Sequence, residues 1–189
     1  MQTPIPELIT ENLIITVLKP ADFHLLAAYE HNNRAHLSKW EPIRASGYFT
    51  DDSVKIRIES GMHNFVSGSA IPFVGLDKSR SKIVCICTFS NIVQGVFQAC
   101  HLGYSINVQD EGKGYMFEML EAAIDYVFTH LDLHRVMANY MPENTRSERL
   151  LMRLGFEKEG VAKSYLKIAG CWQDHVLTSK INPNHLGAS

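Results

Sequence analysis

The sequence predicts one domain of the α/β (α+β) class. Its 189 residues are 46% hydrophobic, which is enough for one sizeable core. Along the chain, apolar residues change between helical spacing and the short apolar runs typical of strands. The predicted order is strand, helices, three strands, a long helix, strand, helix and two strands. Because no repeat or linker interrupts this order, we expect residues 1–189 to form a single domain.

The first part of the chain combines one strand with helices. The run NLIITVL predicts a strand over 12–18, and helical spacing from Asp22 through FHLLAAYEHN predicts the first helix. The segment HLSKWEPI, 36–43, is expected to be a short helical piece that ends at Pro42. Residues 50–68 begin with favourable N-cap side chains and predict another helix. Its apolar face carries Val54, Ile58, Met62 and Phe65.

The middle of the chain changes to strands. AIPFVGL, KIVCICTFS and FQACHLGYSI predict three of them, at 70–76, 82–90 and 97–106. A long helix is expected from Gly112 to Leu131. Its buried stripe carries Met116, Leu120, Ala123, Val127 and Leu131.

The C-terminal part alternates between strands and a helix. RVMANYM predicts a strand over 135–141. The helix that follows is expected to be capped by Asn144 and to end at Gly155, a favourable C′ residue. YLKIAG and CWQDHVLTSKI predict a final strand pair around the turn Ala169-Gly170.

Composition argues against several classes of function. The net charge is −2, without the concentrated basic patch of a nucleic-acid binder, so a basic protein or peptide is the more suitable partner. No apolar run approaches the roughly 20 residues of a membrane span. The start, MQTPIPELITENL, lacks the basic and apolar segments of a signal peptide. We therefore expect a cytoplasmic protein without membrane contact, and no feature predicts its oligomeric state.

The cysteines and histidines give no metal-binding pattern. The four cysteines comprise the CxC pair Cys85 and Cys87 and two single residues, Cys100 and Cys171, so the paired CxxC framework of a zinc site is missing. Cys85 and Cys87 lie in an apolar run and are expected to be buried thiols in a strand. The nine histidines show no HExxH or similar spacing. No metal site is expected.

Two glycines, Gly112 and Gly114, stand at the start of the predicted long helix. The Walker spacing GxxxxGK[ST] is absent, and a dinucleotide fingerprint would need a third glycine where Phe117 stands. Two interpretations remain from the residues alone. Either the loop offers backbone N–H groups to a pyrophosphate at a helix N-terminus, with Lys113 adding charge, or these are ordinary helix-start glycines.

The neighbouring residues resemble the GCN5-related N-acetyltransferase family. Its motif R/Q-x-x-G-x-G/A is matched by QDEGKG, 109–114, and its closing N-x-x-S and LGF signature by Asn144, Ser147 and 154–156. HLSKWEP, FSNIVQGVFQACHLGYSI, HRVMANYMPEN and LLMRLGFEKEG are similar to ribosomal-protein-alanine N-acetyltransferases of the RimJ type. The resemblance covers residues 10–182.

This resemblance implies the N-acetyltransferase fold, a mixed and mostly antiparallel sheet flanked by helices, with strands that splay apart at the coenzyme site. It implies direct attack of an amine on the thioester of acetyl-CoA, without a metal. The acceptor would be the N-terminal alanine of a ribosomal protein, for the RimJ type the fifth protein of the small subunit. The implied coenzyme-binding residues are Leu102, Gly103, Tyr104, Ser105, Ile106, Gln109, Glu111, Gly112, Lys113, Gly114, Tyr115, Asn139, Asn144 and Ser147.

Two acidic residues, Asp110 and Glu111, precede the glycines and depart from the family loop. If peptide N–H groups hold the pyrophosphate, we expect both side chains to point outward. There they would favour the helix N-terminus by roughly 0.3–1 kcal/mol each. Removing either charge is then expected to leave coenzyme binding unchanged or improved.

The acceptor amine must lose a proton before it attacks. An α-amine, with a pKa near 7.7–8.0, is roughly one-tenth neutral at pH 7, whereas less than about a thousandth of lysine is neutral. A carboxylate acting through water is therefore a sufficient base. The resemblance points to Glu159, whose alternative role is an exposed acid at a strand edge. Glu41 is the rival base, or it could simply attract the cationic amine.

The departing thiolate needs a proton donor. The resemblance makes Ser147 this donor and has Asn144 bond the pantetheine arm; alternatively, both are ordinary polar residues at a helix start. Tyr140 is another candidate donor, although a wall of the acceptor groove is its simpler role. The acceptor groove is expected to be lined by Trp40, Glu41, Tyr104 and Tyr140.

Two other functions stay open at this point. The acceptor could be a small amine, such as an antibiotic or a polyamine. The chain could also be a ribosome-assembly or regulatory module that binds acetyl-CoA without turnover. HLSKWEP favours a peptide acceptor by resemblance, and the presence of Asn144, Ser147 and Glu159 favours turnover.

Overall fold

A computed structural model describes residues 4–185 of the chain. In this part of the chain, eight strands form one sheet. They are β1 Glu7–Ile9, β2 Leu13–Val17, β3 Ile71–Asp77, β4 Ile83–Val93, β5 Ala99–Ile106, β6 Arg135–Tyr140, β7 Glu157–Ile168 and β8 Cys171–Ile181.

Four α-helices within the same residues flank the sheet: α1 Phe23–Leu37, α2 Asp51–Ser67, α3 Tyr115–His130 and α4 Thr145–Arg153. Short 3-10 turns lie at Pro20–Asp22, Ser46–Phe49, Val108–Asp110 and Pro183–His185. None of the helices in the described residues combines the length and apolar content needed to cross a bilayer.

The strand order is β1-β2-β3-β4-β5-β6-β8-β7, and every neighbouring pair is antiparallel except β5 and β6. The parallel pair is joined only at Ala99↔Arg135, Cys100↔Val136 and His101↔Met137. Beyond these positions the two strands diverge. The expected fold and its splayed strands are therefore confirmed.

The sheet separates two apolar layers. One face packs on α3 and α4 around fully buried residues such as Phe73 and Leu120, and the other packs on α1 and α2 around Val54. Adjacent residues of β5 reach opposite layers, because successive side chains of a strand alternate. The Tyr104 hydroxyl meets α4, whereas Ser105 meets α1. The gap between β5 and β6 thus connects both faces of the sheet.

The helix limits follow the predicted capping residues. Thr50 Oγ1 accepts a hydrogen bond from the Ser53 N–H at the start of α2, and Gly68 ends that helix with a φ of 73°. Asn144 Oδ1 accepts from the Ser147 N–H at 3.1 Å and caps α4. α3 begins at Tyr115 rather than at Gly112, because the glycine φ angles ahead of it are positive.

Three further features of the structure differ from what the sequence led us to expect. The helical piece expected at 36–43 is wrong: α1 continues to Leu37, and the next residues form an irregular loop. β1 was not expected, since three residues give no periodic pattern. β7 begins at Glu157, well before YLKIAG, because its first half is exposed and polar on an edge strand.

Candidate active site

A cleft of about 2150 Å³ opens where β5 and β6 diverge. One side is formed by α4 and the glycine loop, residues 107–114. The other side is formed by α1, the Trp40 loop, residues 38–45, and the end of the β7–β8 hairpin. Single-ligand pockets usually enclose roughly 300–1,000 Å³, so this cleft has room for two ligands.

The glycine loop leaves open space above its backbone. Gly112 and Gly114 have φ angles of 77° and 87°, and a Cβ at either position would meet no protein atom within 4 Å. The first N–H groups of any α-helix have no intrahelical partner. In α3 the N-cap is Gly114, which has no side chain to accept from them. Such a helix start binds anions. The geometry favours the pyrophosphate interpretation over ordinary helix-start glycines.

Asp110 does not point outward, contrary to expectation. Its side chain is 3% exposed, and its two oxygens lie 2.7 Å from Lys82 Nζ and 2.8 Å from Lys113 Nζ. Burial alone would raise the pKa of Asp110, but the hydrogen bonds from Lys113 and Lys82 outweigh it and lower the pKa. The charge of Lys113 is therefore directed at Asp110, and the loop is fastened to the start of β4.

Glu111 bridges the two sides of the cleft mouth. Its Oε1 lies 3.0 Å from His36 Nε2 at the end of α1, and its Oε2 accepts a hydrogen bond from Arg146 at the start of α4. The side chain is 22% exposed. It thus lines the cleft, but it is paired with Arg146 and in contact with His36 and is not a free outward charge.

Helix α1 fixes the backbone around the glycine loop. Asn33 is fully buried; its Oδ1 accepts from the Val108 N–H at 2.8 Å, and its Nδ2 donates to the Tyr29 carbonyl at 2.7 Å. The Tyr29 hydroxyl in turn shares a 2.9 Å hydrogen bond with Ser105. These contacts set β5 and the glycine loop relative to α1.

A pair of hydroxyl groups lies on the α4 face of the gap. Tyr104 Oη and Ser147 Oγ are hydrogen-bonded to each other, and either can be the donor. Burial raises the pKa of Tyr104 to about 12, so the phenol stays protonated at neutral pH. Ser147 contributes its backbone N–H to the helix cap, as a donor to Asn144. The Ser147 hydroxyl takes no part in the cap and bonds to Tyr104. The arrangement can supply a proton to a leaving group in the gap.

Tyr140 faces the helix layer rather than the acceptor side. Its side chain is buried, and its hydroxyl donates to Glu148 Oε1 at 3.1 Å. Burial and this carboxylate raise the pKa of Tyr140. Committed to Glu148, the Tyr140 phenol is less suited than the hydroxyl pair to act as a proton donor.

Glu159, expected as the base, does not line the cleft. The side chain lies at the opposite end of β6, where its Oε1 accepts from Arg135 Nη1 at 2.5 Å and from Ser179 Oγ at 2.8 Å. The hydrogen bonds from Arg135 and Ser179 lower its pKa, which makes it a weaker base. The structure therefore places Glu159 away from the cleft, contrary to the expectation that it faces the acceptor amine.

Glu41 lines the cleft together with Glu30, Glu111 and Glu143. Glu30 is paired with Arg57 and Glu111 with Arg146, whereas Glu41 lies in the Trp40 loop on the acceptor side. Burial raises the pKa of Glu41, although Arg44, at 3.9 Å, acts in the other direction. The Glu41 carbonyl accepts a hydrogen bond from the Ala169 N–H at 2.9 Å. This contact joins the Trp40 loop to the β7–β8 turn and closes the cleft into a ring on this side.

Most of the predicted site residues come together in this cleft. Those that line it are Trp40, Glu41, Leu102, Gly103, Tyr104, Ser105, Ile106, Glu111, Gly112, Gly114, Asn139, Tyr140, Asn144 and Ser147. The predicted residues outside its lining are Gln109, Lys113, Tyr115 and Glu159.

Sequence reasoning missed three arginines of α4 that line the cleft, Arg146, Arg149 and Arg153. Arg146 contacts Glu111, and the Arg153 guanidinium lies 3.9 Å from the centre of the Phe117 ring. The signal was the spacing of basic residues in RSERLLMR, which places them along α4 beside the glycine loop. They add positive charge to the side of the cleft suited to an anion.

The four cysteines lie outside the lining of the cleft. Cys85 and Cys87 are buried in β4, as predicted. Among residues 4–185, no three His, Cys, Asp or Glu side chains are grouped closely enough to hold a metal ion.

Comparison with known proteins gives concordant matches. The model of the acetyltransferase (GNAT) domain matches residues 12–157. The chain is 45% identical over 183 residues to the [ribosomal protein uS5]-alanine N-acetyltransferase of Escherichia coli K12, covering 96% of this chain and 93% of that one.

Two solved structures are similar throughout. The ribosomal-protein-S5-alanine acetyltransferase of Vibrio fischeri has a TM-score of 0.90 at 40% identity, covering 95% of this chain and 98% of that chain. RimJ of Mycobacterium smegmatis, in complex with CoA-disulfide, has a TM-score of 0.87 at 25% identity, covering 98% of this chain and 90% of that chain.

Proposed function

This chain belongs to the acetyltransferase (GNAT) family, and from that premise we propose that it transfers acetyl from acetyl-CoA to an N-terminal alanine of a ribosomal protein. The protein uS5, the substrate in the name of the Escherichia coli relative, is the first candidate. The observation that carries the proposal is the shared cleft, in which the glycine loop and the Trp40 loop face each other across diverging strands.

The coenzyme side of the cleft is the glycine loop and the unpaired edge of β5. The open backbone at Gly112 and Gly114 and the uncapped start of α3 fit a pyrophosphate. Residues 102–106 have no ladder partner on β6, so their main-chain groups fit the amides of a pantetheine arm. Arg146 and Arg153 add positive charge nearby.

The side chains supply the proton transfers that the reaction requires. Glu41, on one face of the sheet, takes the proton that the amine must lose. The amine nitrogen then forms its bond to the acetyl carbon, and the carbon–sulfur bond breaks. On the other face, the Tyr104–Ser147 pair donates a proton to the departing thiolate. Fixing both reactants at the gap supplies much of the remaining rate enhancement.

The closed ring favours the end of a chain as acceptor. The Ala169–Glu41 hydrogen bond joins the two walls of the acceptor side, so an internal lysine would need a long reach into the cleft. An N-terminal amine enters end first and also carries the lower pKa. A basic ribosomal protein in the cytoplasm is the partner that this arrangement and the net charge of −2 suit.

The test uses labelled acetyl-CoA and a cell extract, with labelled chain ends identified by mass spectrometry. We expect label on the terminal alanine of uS5 and on short peptides beginning with alanine, and little on lysine side chains at neutral pH. Turnover of polyamines or aminoglycosides without peptide activity would assign the small-amine function. Coenzyme binding without any turnover would assign the binding module.

A further inference from the structure

β7 leaves regular strand geometry beside the acceptor side of the cleft. Its ladder with β8 is interrupted between Ala162↔His175 and Leu166↔Gln173, so residues 163–165 stand opposite Asp174 alone. In a regular antiparallel ladder each residue faces one partner. Extra residues form a bulge, and bulges next to functional sites redirect a side chain.

The backbone of this bulge is held in a disfavoured conformation. Ser164 has a φ of 48°, a left-handed value that crowds the Cβ of any residue except glycine. Its N–H donates a 2.8 Å hydrogen bond to Asp174 Oδ1 on β8. The carboxylate thus holds the bulge in place. Backbone strain of this kind persists only where surrounding contacts enforce it.

The bulge changes the direction of Tyr165. In a regular strand its side chain would lie on the face opposite to Ala162 and Leu166. Instead, the Tyr165 hydroxyl accepts a hydrogen bond from Asn139 Nδ2 at 3.3 Å, and its ring lies 5.6 Å from the ring of His175. Asn139 and His175 both line the cleft. Tyr165 therefore stands at the rim of the acceptor side.

Asn139 and Tyr165 together present at least one hydrogen-bond donor and one acceptor. Asn139 Oδ1 can accept and the Tyr165 O–H can donate, and within residues 4–185 neither makes another side-chain hydrogen bond. Reversing the amide of Asn139 still leaves at least one donor and one acceptor. A peptide group carries the complementary set, an N–H and a C=O. A simple amine carries N–H groups but no C=O.

We propose that Asn139 and Tyr165 bind the first peptide group of the acceptor, and that the Ser164 bulge positions Tyr165 to do so. This inference rests on the proposed function and adds a chemical requirement, an amine followed by a peptide bond. It also reassigns Asn139 from the coenzyme to the acceptor. Asn139 neighbours Tyr140, which contacts α4, so its own side chain lies on the opposite face.

The test compares a short peptide beginning with alanine with an analogue in which the first peptide bond is an ester. We expect wild type to prefer the amide by about 3–10-fold in kcat/KM, the contribution of one hydrogen bond. Asn139→Ala should remove this preference. Tyr165→Phe should raise KM for the amide peptide by about the same factor, without changing KM for acetyl-CoA.

Two variants of the bulge separate positioning from general damage. Asp174→Ala releases the Ser164 N–H and should raise KM for the peptide in the same direction as Tyr165→Phe. Lys163→Ala, an exposed change in the same bulge, should behave like wild type. Circular dichroism confirms that each variant is folded.

The inference is overturned if Asn139→Ala keeps the preference for the amide, or if these variants raise KM for acetyl-CoA instead of the peptide. Failure of the proposed function gives a different result. If wild type binds the alanine peptide in the presence of CoA but does not acetylate it, the proposed function is wrong. The inference is then decided by binding: it holds if wild type binds the amide peptide more tightly than the ester analogue and Asn139→Ala does not. Absence of peptide binding overturns both.

Discussion

The hydroxyl groups of Tyr104 on β5 and Ser147 on α4 are hydrogen-bonded to each other across the gap between the diverging strands. Either can release a proton toward a thiolate, and the second then replenishes the first. Because the two act as a unit, their separate removal should not have additive effects.

We therefore expect Ser147→Ala and Tyr104→Phe each to lower kcat by about 10²-fold, the lower end for a general acid, since a coenzyme thiol already leaves readily. The double variant should be about as slow as the slower single one. The defect should persist at high pH. Single-turnover rates between pH 7 and 9 measure it, with Ser90→Ala, a hydroxyl of β4 outside the cleft lining, as the control. Additive losses would contradict a shared role.

Glu41 should dominate the acid side of the pH–rate profile. Only the carboxylate accepts a proton, so activity falls as the pH drops through its pKa, which burial places above the ordinary glutamate value. Glu41→Gln should lower kcat/KM by about 10²–10⁴-fold, most strongly where the amine is protonated, and higher pH should partly restore it.

Glu159→Gln is the matched control for Glu41→Gln. Glu159 is paired with Arg135 away from the cleft, so its amide should keep the wild-type profile. A larger loss in Glu159→Gln than in Glu41→Gln would return the base to Glu159.

A branched side chain in the glycine loop should abolish coenzyme binding. Gly112→Val and Gly114→Val each place a side chain in the open space above the loop and force a β-branched residue to a positive φ. Calorimetric titration with acetyl-CoA is expected to give no measurable heat of binding.

Gly95→Val is the control that separates backbone strain from blocked access to the coenzyme site. Gly95 has a similar φ of 78° and equally open surroundings, but it lies in the β4–β5 hairpin outside the cleft lining. It should lose stability and keep coenzyme affinity. If Gly95→Val loses affinity equally, backbone strain and not access explains the glycine variants.

Removing the charge of Asp110 should destabilise the protein instead of improving coenzyme binding. Asp110→Asn breaks two charge-assisted bonds of a side chain that is 3% exposed, and we expect a loss near the lower end of about 1.5–3 kcal/mol, because both lysines are half-exposed. Acetyl-CoA affinity should fall with the loosened loop.

The difference in free energy of unfolding between wild type and Asp110→Asn should decrease as the pH falls. The folded-state pKa of Asp110 is lowered, so its contribution is complete above its unfolded pKa, about 3.9, and disappears as the pH falls through the folded value. Urea unfolding of Asp110→Asn and wild type should therefore converge in acid. Asp125→Asn, an exposed change in the interior of α3, should match wild type throughout. A stable Asp110→Asn with tighter coenzyme binding would restore the outward orientation.

The sequence predicts the long elements well because they carry a full period of apolar residues. Asn144 caps the helix for which it was predicted, and the favourable N-cap residues at the start of 50–68 supply the cap of α2, Thr50. The segment 36–43 fails because tertiary contacts override its local pattern. The Glu41 carbonyl bonds to Ala169 near the far end of the chain, which no local pattern contains.

Site residues are predicted as a set, but their contacts are not. The charge of the buried Asp110 is compensated by Lys82, which lies 28 positions earlier in the chain. Glu159 sits at an irregularity of the β7–β8 register, between Lys158 and Gly160, and such a bulge changes the face on which a side chain lies. Alternation along the sequence cannot reveal that change.

The short junction between β5 and β6 has a consequence for the motions of the protein. Three register pairs join the strands, so the amides of residues 102–106 that face the gap are open to water when the cleft is empty. A ligand bonded to these amides would take the place of the missing ladder. Their hydrogen–deuterium exchange should slow when coenzyme binds, while exchange of the paired residues 99–101 stays nearly constant.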